Sequence, residues 1–168
     1  VAHTAYSGHT AGDHGYGLGM VDQSIRLPDL SARPHELSVE RVMSASAGLL
    51  FAAWTRGFDL WLAQPDSLLL AGEVNTPFFF ETENGGVRHP HYGRFLRLES
   101  ERLVELTWVS ADTRGAETVV SVQFVRQPRG IRLRLRHSGF ADMAARDAHR
   151  EAWPAVLEQL DKRLTSTG

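Results

Sequence analysis

From Ser67 to Ser138 the chain is cut by turn residues into short strand-like runs, the last of which alternates apolar and polar side chains cleanly, and beyond Asp142 the period changes to that of an amphipathic helix. Period-2 runs make strands with one buried and one wet face, so the buried face needs a cover. The only long amphipathic segment available comes last. A sheet closed by a C-terminal helix is therefore the architecture that this patterning demands.

The runs are 67–71, 77–82, 91–98, 103–110, 117–126 and 130–138, an antiparallel meander of six strands. Asn84-Gly85-Gly86 supplies positive-φ residues, residues 112–115 make a polar loop, and residues 127–130 form a tight turn containing Pro128 and Gly130. The last run alternates cleanly: Ile131, Leu133, Leu135 and His137 share one face, and Arg132, Arg134, Arg136 and Ser138 the other. Val120, Val122 and Phe124 offer a matching apolar face on the neighbouring run. Over 142–164, Trp153, Val156, Leu157, Leu160 and Leu164 fall on one stripe, while Glu158 and Lys162 form an i,i+4 pair outside. Pro154 interrupts this helix on paper, because its ring clashes with the carbonyl of Arg150, and a kink or restart is expected over 150–153.

Upstream, 35–43 reads as a strand that ends at Ser44-Ala45-Ser46. Ser46 is placed to cap a short helix over 47–54, where Ala47, Leu50, Phe51 and Trp54 recur at helical spacing. Gly57 ends it, and Phe58, Leu60, Trp61 and Leu62 form a second brief turn or helix. Residues 1–19 are rich in Gly, His, Ala, Thr and Tyr without a period and read as an arm, with Met20 an alternative natural start; residues 21–34, with Pro28 and Pro34, read as a connector. The division is thus an extension over 1–34, flexible or peripheral, and one domain over 35–168.

With 168 residues and 42% hydrophobic content the chain can bury a substantial core. A formal charge of -2 provides no field that would draw it to nucleic acid or anionic lipid. The absence of cysteine removes disulfides, thiolate ligands and cysteine nucleophiles. No apolar run approaches the roughly 20 residues that span a bilayer, and the N-terminus lacks the pattern of a secretory signal, so a cytoplasmic protein without membrane partners is expected. No nucleophile elbow, phosphate loop, dinucleotide fingerprint or His-Glu-x-x-His helix occurs. His3, His9 and His14 match no ligand spacing. His89 and His91 share a face across Pro90, but no carboxylate or third imidazole is fixed beside them in sequence, so neither metal nor cofactor is expected.

The order of elements resembles the SRPBCC superfamily of START-like, helix-grip proteins, and within it the activator of heat-shock-protein-90 ATPase homologues. The residues that carry the likeness are Phe51-Ala52-Ala53-Trp54, His91-Tyr92-Gly93-Arg94-Phe95, Thr107-Trp108-Val109, Glu117-Thr118-Val119-Val120, His137-Ser138-Gly139-Phe140 and Trp153-Pro154 with Val156-Leu157 and Leu160. The resemblance implies an α+β fold in which a curved antiparallel sheet wraps a long C-terminal helix, with two short helices after the first strand. It also implies an apolar cavity between sheet and helix. Where such domains commonly carry a glycine pair before the third strand, this chain has Asn75-Thr76-Pro77 and then three phenylalanines, which implies a narrower or reshaped mouth.

The candidate lining residues are Trp54, Phe58, Trp61, Phe78, Phe80, Trp108, Phe124, Leu135, His137 and Trp153, each of which serves equally well as core packing. His137, on the inward face, needs a polar partner from the protein or a ligand. Arg41 shares its face with Leu37, Val39 and Met43 and is either an inward cation for an acidic ligand or a side chain snorkelling to the rim. Three functions are compatible with this set. The first is a non-catalytic module that binds a hydrophobic small molecule. The second is a cyclase- or aromatase-like enzyme in which His137 or Arg41 polarises a carbonyl, although no catalytic residue set is evident. The third is a chaperone-interacting domain, and homodimerisation through the sheet or terminal helix is compatible with each.

Overall fold

The computed structural model describes residues 24–166. The arm over 1–19, Met20, and His3, His9 and His14 lie outside the described residues. Strand β1 (His35–Met43) leads into helix α1 (Ala47–Thr55) and a 3₁₀ turn at Phe58–Leu60. Strands β2 (Pro77–Asn84), β3 (Val87–Glu99), β4 (Leu103–Trp108), β5 (Thr118–Arg126) and β6 (Ile131–Phe140) follow, and helix α2 (Met143–Thr165) ends the fold. The strands form one antiparallel sheet in the order β1-β6-β5-β4-β3-β2. The architecture is α+β of the helix-grip type, a curved sheet closed over its C-terminal helix.

Local chemistry accounts for the ends of the elements. The Ser46 hydroxyl accepts the Leu49 N–H at 3.2 Å, and Asp142 accepts the Ala145 N–H at 2.8 Å, so each helix starts on a side-chain cap. Gly85 and Gly86, at φ 59° and 79°, form the two-residue hairpin that places Asn84 opposite Val87. That turn sets the register of β2 and β3, pairing Phe80 with His91 and Thr82 with His89. On β5 and β6, Val122 faces Leu135 and Phe124 faces Leu133, so the alternating apolar residues meet on the core side.

Three expectations need correction. Residues 67–71 do not form a strand; they touch the edge of β2 through a single bridge, Leu69 to Phe79. The Ser67 hydroxyl accepts the Glu81 N–H at 2.9 Å where a backbone carbonyl would otherwise extend the ladder. Strand β3 begins at Val87 and runs through Pro90, which lies beyond the end of β4, where no neighbour needs its missing N–H. Helix α2 is continuous across Pro154, whose ring lies on the exposed side, so there is no restart.

The core fills the space between the concave sheet face and the helices. Trp153, Leu157 and Leu160 bring α2 down onto it, while the Glu158–Lys162 pair closes at 2.6 Å outside. The connector is docked on the outer face: Leu30 lies over Gly139, and the Arg33 guanidinium donates to the Glu117 carbonyl at 2.9 Å.

Candidate functional site

Seven of the expected pocket residues form one aromatic mass. Phe58 stacks on Phe80 at 4.9 Å and packs on Phe78 at 5.6 Å, Trp54 lies 5.0 Å from Trp61, and Trp108 lies 5.5 Å from Trp153. The Trp61 indole N–H donates to the Ala53 carbonyl at 3.0 Å. Trp54, Phe58, Trp61, Phe78 and Phe80 are buried in this packing, and Phe124 and Leu135 join them in the core from β5 and β6. Of the ten, Trp108 and Trp153 also face the open space between the sheet and the C-terminal helix.

That space is a cavity of about 410 Å³ between the N-terminal half of α2 and the ends of β2, β3 and β4. Leu62, Trp108, Trp153 and Val156 give it apolar walls, and His89, His91, His149, Asp112 and Thr82 give it polar ones. Each polar group has a structural reason to be there. His89 and His91 alternate on β3 behind the Gly-Gly hairpin, and the His91 ring lies flat on its cross-strand partner Phe80 at 5.0 Å and 3°. His149 stands one helical turn before Trp153 and so shares its face. Asp112 comes from a loop organised by Thr113, whose hydroxyl accepts the Ser110 N–H at 3.1 Å. In the sequence His89 and His91 stand without a third imidazole or a carboxylate beside them; the tertiary structure brings both to the same cavity, in His149 and Asp112. Among the described residues no three such groups come together as metal ligands.

His137 lies behind the cavity, fully buried, and both of its nitrogens are used. The Trp153 indole N–H donates to Nδ1 at 3.1 Å. The Thr118 hydroxyl donates to the Trp108 carbonyl at 2.5 Å, which leaves its oxygen to accept from His137 Nε2–H at 2.7 Å. The chain of bonds fixes the Nε2–H tautomer, and burial, aided by nearby His149, pushes the imidazole's pKa well below its usual 6.5. The polar partner that His137 needs is thus the protein itself. It braces the two tryptophans of the cavity wall.

His91 and His149 are arranged differently. His91 Nδ1 lies 3.0 Å from the His89 carbonyl and His149 Nδ1 lies 2.7 Å from the Ala145 carbonyl, so each Nδ1 carries the proton and each Nε2 is left as a lone pair. Burial lowers the His91 pKa, with Asp112 acting in the opposite sense. Arg41 does not approach the cavity lining; it sits under α2, where its charge adds to the larger effect of Lys162 in holding Glu158 below the usual carboxylate range. A larger depression of about 650 Å³ lies on the opposite, outer sheet face, but its charges are already paired, as in Arg134 with Glu40 at 3.0 Å and Arg136 with Glu36 at 2.5 Å.

Residues 44–165 match the model of the family described as Activator of Hsp90 ATPase homolog 1-like protein. No curated protein matches the chain. Among solved structures it is similar to protein MLL2253 from Mesorhizobium loti, at 23% identity over 80% of this chain and 99% of that one, with a TM-score of 0.66. It is also similar to SA2116 from Staphylococcus aureus, a protein of unknown function, at 13% identity, 79% and 94% coverage and a TM-score of 0.68. The AHSA1-like protein from Aeromonas hydrophila matches at 17% identity, 80% and 94% coverage and a TM-score of 0.61. These likenesses concern the fold.

Proposed function

The chain belongs to the family of Activator of Hsp90 ATPase homolog 1-like proteins, and from that premise we propose that it binds a small, mostly hydrophobic molecule between its sheet and C-terminal helix. The observation that carries this reading is the cavity itself. Its volume of about 410 Å³ suits a small organic ligand, and it sets an apolar wall of Leu62, Trp108, Trp153 and Val156 against a small set of polar side chains. The core aromatics behind it are packed against one another, so ligand binding needs no rearrangement of the interior.

A second reading, an enzyme using the same cavity, draws on His91. Its half-buried imidazole keeps a free Nε2 and lies within electrostatic reach of Asp112, the ingredients of general acid–base chemistry. The binding reading comes first because no paired electrophile accompanies that base among the cavity residues.

The test is native mass spectrometry of the purified protein, followed by thermal-shift screening against aromatic and fatty-acid compounds, compared with an Ala152→Trp variant. Ala152 is exposed on α2 and lines the cavity, so an indole there occupies the site without disturbing the core. A ligand at 100 times its Kd stabilises the folded state by about 2.7 kcal/mol, a shift of several degrees. The expected result is a saturable shift that Ala152→Trp abolishes; shifts that survive the substitution would place binding elsewhere.

A further inference from the structure

Three ring nitrogens of the cavity lining whose donor or acceptor role is fixed have no hydrogen-bond partner among the described residues, Nε2 of His91, Nε2 of His149 and the indole Nε1 of Trp108, and the ring of His89, whose tautomer no bond fixes, stands without a partner beside them. Two are lone-pair acceptors and one is a donor, because the Nδ1–carbonyl bonds of both histidines settle their tautomers. A wholly apolar ligand would strip water from all three and leave them unsatisfied, which costs free energy at each. An ether or carbonyl compound would leave both fixed acceptors, Nε2 of His91 and of His149, unsatisfied. A hydroxyl donates once and accepts once, and so serves an imidazole and the indole together. Trp108 and Trp153 border the cavity from the aromatic core, and their ring surface favours an aromatic body.

Charge is the remaining variable. An ammonium would also donate to the imidazoles, but burial there disfavours added positive charge, as it lowers the pKa of both His91 and His137. Asp112, the one carboxylate of the lining, is exposed at the rim.

We propose that the cavity selects neutral aromatic alcohols, the ring lying against the wall formed by Trp108 and Trp153 and the hydroxyl donating to Nε2 of His91 or His149. This rests on the small-molecule reading above and specifies the chemistry that the site recognises.

The test is isothermal titration of the full chain with 2-naphthol, 2-methoxynaphthalene and 2-naphthylmethylamine, which share a ring system and differ in the polar group. The expected order is 2-naphthol tightest, about tenfold tighter than the methyl ether, as one hydrogen bond to a buried acceptor allows. In a His91→Phe, His149→Phe variant, 2-naphthol should fall to the affinity of the ether while the ether is unchanged. Equal affinities in the parent protein would overturn donor recognition and leave the cavity as an apolar site. Tightest binding of the amine would overturn the preference for a neutral ligand. Failure of all three to bind would overturn the underlying binding reading as well.

Discussion

At the scale of single residues, the polar groups inside this protein work as fasteners. Asp161, on α2, is buried yet has no partner cation among the described residues; its carboxylate accepts the backbone N–H groups of Ser44 and Ala45 at 2.9 and 3.0 Å. Helix α2 is thereby pinned to the turn between β1 and α1, more than a hundred residues away in sequence. Asp161→Ala would leave those donors unpaired and should cost about 2–3 kcal/mol, measured by urea unfolding, whereas Asp161→Asn keeps one acceptor and should cost less. Equal losses in the two variants would show that charge, not acceptance, matters. Gly93 is fixed by space: a Cβ there would meet Phe78 Cζ at 2.2 Å and the Thr107 carbonyl oxygen at 2.2 Å. Gly93→Ala should destabilise by about 1–3 kcal/mol or more, because the strand backbone cannot yield as a side chain could. Wild-type stability of that variant would mean that β3 and β4 separate freely at this point.

At the scale of elements, α2 shows how tertiary packing overrides a local defect. Pro154 removes the hydrogen bond to the Arg150 carbonyl, yet Trp153 and Leu157 on either side of it are buried and hold the helix to the sheet. The ring points to solvent, so its cost is confined to the backbone. Pro154→Ala should raise stability by about 1–3 kcal/mol in denaturant unfolding. An unchanged midpoint would mean that the backbone stays bent there for reasons of packing alone. Strand β2 shows the converse, in that a plausible neighbouring strand over 67–71 fails because the Ser67 hydroxyl competes for the ladder. Asn75 holds φ 63°, a left-handed conformation ordinarily left to glycine, in the turn that leads into β2.

At the scale of the whole molecule, the histidines couple stability to acidity. His137, beside His149, and His91, facing Asp112, His89 and His149, both have folded-state pKa values lowered chiefly by burial. The unfolded chain takes up these protons near pH 6.5 and the folded one resists them, so their effect is absent above that pH and stability falls as the pH drops below it. Melting temperature should therefore decline between pH 7 and pH 5, and His137→Gln should flatten that slope whatever it does to stability at pH 7; an unaltered slope would assign the acid sensitivity elsewhere. The alternation of Ile131, Leu133, Leu135 and His137, the Gly-Gly hairpin and the stripe from Trp153 to Leu164 are local patterns, and they determined β6 with its inward face, the turn between β2 and β3 and the closing helix, whereas the apolar run over 67–71 suggested a strand that does not form. Which inward residues fill the core and which surround a cavity was decided only in three dimensions. It depends on how far α2 stands from β3 and β4, a distance set by contacts between side chains remote in sequence. The same holds for His137: its place on the inner face follows from alternation, but its satisfaction by Thr118 and Trp153 comes from three elements converging, which no single strand encodes.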